Sequence, residues 1–202
     1  MGVSIEVLIV DWKRVEAVPA DRRGELVDEA AFGDESWDGD LDDEGSYWSP
    51  SAHADWYGKY AFFHSHGSCK PHFWAGERWE DIRDFTEPGL RTAVDRFVGA
   101  LFWQYGFEYV VGEDPGAVPE RECTWNTEVL TWVQPEDISA LEGFWSQAEL
   151  ELEALCEVFR EHAETERGWI NDFDSFARLL KGWGDVVTQA ALRGWGIVGL
   201  RC

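Results

Sequence analysis

The stretch Val3–Val10, read as VSIEVLIV, is short, apolar and rich in β-branched residues, and it predicts a buried strand. Its counterpart is at the far end of the chain, where Ile197–Leu200 follows Gly194 and Gly196 as a closing strand. Between them, Tyr60–His66 and His72–Trp74 read as two strands around the turn Gly67–Pro71. Phe107–Val111 and Glu128–Val133 add two more. Strands thus fall at both ends and in the middle.

Helices alternate with these strands and concentrate in the second half. A helix-compatible segment follows Pro19 and stops at Gly33, with Leu26, Val27, Ala30 and Ala31 on one side. Glu77–Phe85 reads as a short helix. After Pro88, Leu90, Val94, Phe97, Val98, Leu101 and Phe102 recur at helical spacing. Pro135 opens another helix, a longer one runs from about Trp145 to Thr165, and a last one covers Phe173–Arg193, with Gly182 and Gly184 as a weak point. The order predicts one α+β domain over residues 1–202, a mostly antiparallel sheet with helices packed on it. With 45% hydrophobic residues the chain can bury a sizeable core, so neither disulfides nor metals are needed for folding.

Charge is the strongest functional signal. Forty acidic residues face 17 basic ones, a net charge of −23. Such a field repels nucleic acid and anionic membrane surfaces, and it speeds encounter with basic proteins, cationic ligands or metal ions. Charge for solubility alone is the plainer reading. Residues 34–50, GDESWDGDLDDEGSYWSP from Gly33 on, hold seven acids between Asp34 and Glu44 and predict an exposed loop, with Trp37 and Trp48 anchoring its ends. Glu149, Glu153, Glu157 and Glu161 follow one another at i, i+4, where like charges oppose their own helix. These four carboxylates and the two tryptophans are the expected contacts for a basic protein partner, since indoles supply interface area.

Several motifs fail on context. Gly194-Trp-Gly196-Ile-Val-Gly199 has the letters of a dinucleotide loop but follows a helix instead of preceding one. Its glycines read as a helix stop and a turn into the strand. Asp40–Gly45 imitates the front of a calcium loop, yet the twelfth position is Ser51. Phosphate-binding loops, nucleophile elbows and zinc-protease signatures are not found.

One metal-like constellation survives: His64, His66, Cys69 and His72. On a hairpin with a five-residue turn all three imidazoles share a face, whereas a four-residue turn points His72 away. The first register would suit zinc or copper. Four widely spaced cysteines give no disulfide framework and fit reduced thiols. Met1–Arg14 lacks the basic start and cleavage site of a signal peptide, so a cytoplasmic location is expected. Arg outnumbers Lys thirteen to four, the usage of a GC-rich bacterial genome. In charge and size the chain looks like small acidic inhibitor or immunity proteins of bacterial toxin systems, a likeness of general character that carries no residues across. An acidic binding protein is the first expectation. A metal-dependent enzyme or metal-binding protein, and a binder of cations or sugars with a Trp and carboxylate pocket, are the alternatives.

Overall fold

The computed structural model describes residues 4–33, 47–62, 68–101, 128–163 and 168–201. Among the described residues, five strands form one antiparallel sheet: β1 (Ile5–Val10), β2 (Tyr47–Pro50), β3 (Tyr57–Ala61), β4 (Glu128–Val133) and β5 (Gly196–Arg201), in the order β2-β3-β1-β5-β4. The two predicted terminal strands pair with each other at the centre, Val7 opposite Gly199 and Leu8 opposite Val198. β3 covers the other side of β1, with Val7 opposite Tyr60. The apolar character of β1, broken only at Glu6, follows from this placement, because helices cover both faces of the sheet.

On one face lie α3 (Lys70–Arg83), α4 (Pro88–Leu101), α5 (Pro135–Glu151), α6 (Leu155–His162) and α7 (Phe173–Arg193). Their core takes Ile5, Val7 and Ile9 from β1, with Trp79, Phe97, Trp145, Phe176 and Trp183 from the helices. Among the described residues, the helices on the other face are α1 (Trp12–Glu16) and α2 (Arg23–Phe32). Its smaller core joins Leu8, Val10, Val198 and Leu200 to Trp12, Val15, Val27 and Trp132. The fold is therefore α+β as expected, with one thick and one thin helical layer.

α7 begins at Asp172, whose carboxylate accepts the Ser175 N–H at 2.7 Å. It ends at Gly194, in the left-handed region at φ 63°, where the Trp195 N–H reaches Ala190 O and the Gly194 N–H reaches Ala191 O. This is the paired closure that favours glycine after a helix, and β5 starts two residues later. The reading of Gly194 and Gly196 as a stop and turn matches this geometry. The helix runs unbroken through Gly182 and Gly184, both buried, with Gly184 held close against the Trp145 ring of α5.

Four local expectations need correction. Residues 72–74 are not a strand: α3 runs from Lys70, with Pro71 in its first turn, where a fixed φ and a missing N–H are no handicap. His72, Ala75, Trp79 and Ile82 are its buried line. Aromatic and histidine content mimicked a strand there, while the three-to-four spacing carried the true period. The strand expected at 60–66 begins earlier, at Tyr57. Tyr47–Pro50, placed in the acidic loop, pairs with β3 as an edge strand, with Pro50 at its end. Finally, the helix opened by Pro135 runs on through Trp145 to Glu151, and a tighter turn at Leu152–Ala154 separates it from α6. The strand expected at 107–111 lies outside the described residues.

Candidate docking surface

The carboxylate series Glu149, Glu153, Glu157 and Glu161 is exposed throughout. It does not ride one straight helix. Glu149 belongs to α5, Glu153 to the tight turn, and Glu157 and Glu161 to α6. The inward side of the same stretch, with Ala148, Leu152, Leu155 and Phe159, is buried in the main core. Apolar residues at helical spacing thus fix which side faces solvent, and the glutamates are left outward. Glu142 and Glu151 join them on the surface, as does Leu150, which is 87% exposed. Arg160 is the only Lys or Arg between residues 128 and 163, and its guanidinium donates to the Cys156 thiol. The α5–α6 surface is therefore a predominantly acidic ridge, with Arg160 on it and Arg96 of α4 over the Phe144 ring at 5.4 Å.

Trp48 lies on β2, partly buried against the main core. Its ring is roofed by the Arg193 guanidinium, 3.7 Å from the ring centroid. Arg193 is itself held by Gln189, through the main-chain oxygen at 2.7 Å and the side-chain oxygen at 2.8 Å. A cation of the chain's own thus occupies the upper face of this indole, tying the end of α7 to the edge of the sheet. Trp37 lies outside the described residues, as do residues 34–46 with the calcium-like stretch.

His72 is 2% exposed. Its Nδ1 accepts the Trp183 Nε1–H at 3.1 Å, and Phe62 meets the ring edge-on with centroids 4.9 Å apart. Burial lowers its pKa to about 3, so the imidazole is neutral at pH 7. The hairpin on which a shared face of three imidazoles depended is replaced by the start of α3. Cys69 caps that helix and is half-buried, while His64 and His66 lie outside the described residues. Among the described residues no group of three or more His, Cys, Asp or Glu side chains is arranged to hold a metal ion.

A feature missed in the sequence lies along α3. Phe73 and Trp169 are 52% and 53% exposed. Trp74 packs against the main core and meets Trp169 edge-on, with centroids 5.9 Å apart. Gly168 makes this possible: its φ is 55°, and any side chain there would overlap the Trp74 ring. The segment from α6 to α7 is pinned alongside α3 by the fully buried Arg78, whose Nε donates to Ile170 O at 2.8 Å and whose Nη1 donates to Ala163 O at 3.2 Å. At the other end of α3, Phe85 is 58% exposed and stacks flat on His162, with centroids 3.6 Å apart. Between these rings α3 carries the exposed Glu80 and the partly exposed Glu77 and Asp81, and Asp84 follows its end; Asp81 lies 3.7 Å from the Arg78 guanidinium, and Asp84 lies 3.8 and 3.9 Å from those of Arg83 and Arg91. The sequence signal was the return of an aromatic or carboxylate on one arc of α3 at three-to-four spacing, hidden by reading 72–74 as a strand.

These elements define an acidic α+β protein with a predominantly acidic helical ridge and exposed aromatic rings beside α3. Comparison with protein-family models, with characterised proteins and with solved structures finds no match. No helix among the described residues is long and apolar enough to cross a membrane.

Proposed function

We propose that this chain is an acidic binding protein, of the inhibitor or immunity kind, that docks a basic protein partner. The observation that carries the reading is the α5–α6 ridge, where exposed carboxylates gather with Arg160 as the sole Lys or Arg of residues 128–163. A concentrated field of one sign raises the encounter rate with an oppositely charged partner and falls off as salt screens it. Glu149, Glu153, Glu157 and Glu161 are the residues that would steer.

The test is capture from the native host at low salt, followed by stopped-flow association with the partner recovered. Replacing all four glutamates by glutamine is expected to slow association by about tenfold at low ionic strength. The difference should close as salt rises, with little change in dissociation. Recovery of no basic protein at low salt, or an association rate indifferent to the four substitutions, overturns the reading.

A further inference from the structure

We infer that α2 is a strap over the thinly covered face of the sheet, one that lifts by itself while the rest of the fold stays closed, and that Lys59 is its latch. The inference does not depend on the docking reading above.

The apolar grip under α2 is small. Its buried residues are Gly24, Val27, Ala30 and Ala31. Over a similar length, α7 buries Phe176, Leu179, Leu180, Trp183, Val186 and Val187. Apolar stabilisation follows the area removed from water, so each turn of α2 is held far more weakly than each turn of α7. The ends of α2 are loosely tied as well. No side chain caps its start, and its end at Gly33 stays right-handed at φ −74°. α7 has a capping aspartate at one end and a left-handed glycine at the other. The side-chain bonds at the start of α2 are local: the exposed Arg22 and Glu25 pair with each other, and Arg23 Nε donates to Val18 O at 3.3 Å. Neither joins the helix to the sheet.

The tie to the sheet comes from below. Lys59 lies on β3 opposite Leu8, on the covered face, and its Nζ donates to Ala31 O at 2.5 Å. A cation at the last carbonyls of a helix also meets the negative end of the helix dipole. A counterforce lies beside it. Glu6 stands two residues along β1 from Leu8 on the same face, where burial opposes its charge and the Lys59 ammonium offsets part of that opposition. Lifting α2 returns this carboxylate to water. A weak apolar grip, a charge that gains by exposure and a side-chain bond across the gap describe a unit that opens below the free energy of global unfolding. Opening uncovers the sheet face around Leu8, Val198 and Leu200.

The test is native-state hydrogen exchange on the full chain at pH 7, with urea raised through the range below unfolding. In wild type, the amides of residues 27–32 should exchange at least about a hundredfold faster than those of residues 183–190 after correction for intrinsic rates, and with almost no urea dependence. Lys59→Met should speed the α2 amides by about tenfold and leave those of α7 unchanged. That variant also strips Glu6 of its cation. The substitution is therefore repeated on a Glu6→Gln background, where no lone carboxylate is left and the tenfold step relative to Glu6→Gln alone should persist. This second pair decides the matter should the single variant fail to fold. If α2 exchanges at the rates and with the urea dependence of α7, there is no strap and the inference falls. It falls equally if Lys59→Met moves the α2 and α7 amides together, or moves neither, because Lys59 is then no latch.

Discussion

The two faces of the sheet treat buried polar groups differently. Under the thick layer, the largest of these groups meet partners aimed at them, although Trp48 Nε1 has no hydrogen-bond partner among the described residues. Asp95 takes the Trp79 Nε1–H at 2.8 Å and a forked pair of bonds from Arg83 at 2.7 and 2.8 Å. Arg78 meets two main-chain oxygens, and His72 meets Trp183. Under the thin layer, Glu6 faces α2 in a largely apolar setting, and Trp132 Nε1 has no hydrogen-bond partner among the described residues. The thick layer therefore fixes its helices by several side-chain bonds as well as by apolar burial, and the thin layer leans on burial together with the Lys59 Nζ bond to Ala31 O in α2. Unpaired polar groups are costly, so the difference predicts where substitutions hurt and where they help.

The largest effect is expected at Asp95. Removing the carboxylate leaves the Trp79 donor and most of the Arg83 fork without an acceptor between α3 and α4. Asp95→Ala should cost about 3 kcal/mol in urea unfolding, reduced where Arg83 can turn toward water. Asp95→Asn keeps one acceptor and should cost about half as much. A loss under about 0.5 kcal/mol for the alanine variant would mean that the forked pair adds nothing to the thick layer beyond packing.

His72 carries the next effect, and its sign follows from linkage. The folded state holds the imidazole neutral down to about pH 3, whereas the unfolded chain protonates near the ordinary value of 6.5. Between those limits the unfolded state binds more protons, so stability is complete above 6.5 and drains as pH falls toward 3. The slope is about 1.4 kcal/mol per pH unit, or roughly 2 kcal/mol by pH 5. His72→Gln removes the titration and retains an acceptor for Trp183. The gap between wild type and variant should therefore shift with this slope when unfolding midpoints are compared across pH. Parallel curves would show that the ring is solvated or already charged in the fold.

The sequence disclosed the elements whose period was undisturbed. β1, α4, α7 and β5 were legible because β-branched runs, regular apolar spacing and a terminal glycine agreed with one another. α3 was hidden because Lys70–Trp74 mixes Pro, His, Phe and Trp, a composition that suits either a strand or a first helical turn. Only the contact with α7 decides it, where His72 reaches Trp183, 111 residues away. The glutamate ridge was visible as spacing, but the bend at Leu152–Ala154 was not, since the buried Leu152 and Leu155 keep helical spacing through it. The Trp74–Trp169 contact joins α3 to a segment almost a hundred residues later, a pairing that no local pattern records.

Glu6 should give the smallest effect, and it tests the thin layer directly. It sits on the central strand opposite Leu200, on the face shared with Leu8 and Val10. Burial raises its pKa above the usual carboxylate value, and the attraction of Lys59 offsets part of that rise. A raised folded pKa means that the folded state holds the proton more tightly, so this group favours folding below about 4.5 and the advantage is lost as pH rises through the folded value. At pH 7 the ionised carboxylate opposes folding. Glu6→Gln should then stabilise the protein by under about 1 kcal/mol at neutral pH, and the gain should vanish in acid. Lys59 already donates to Ala31 O in α2, so it keeps a partner when the charge at residue 6 is removed. A variant less stable than wild type at pH 7 would show that the pull of Lys59 outweighs burial, and that the thin layer holds a true charge pair much as the thick layer does.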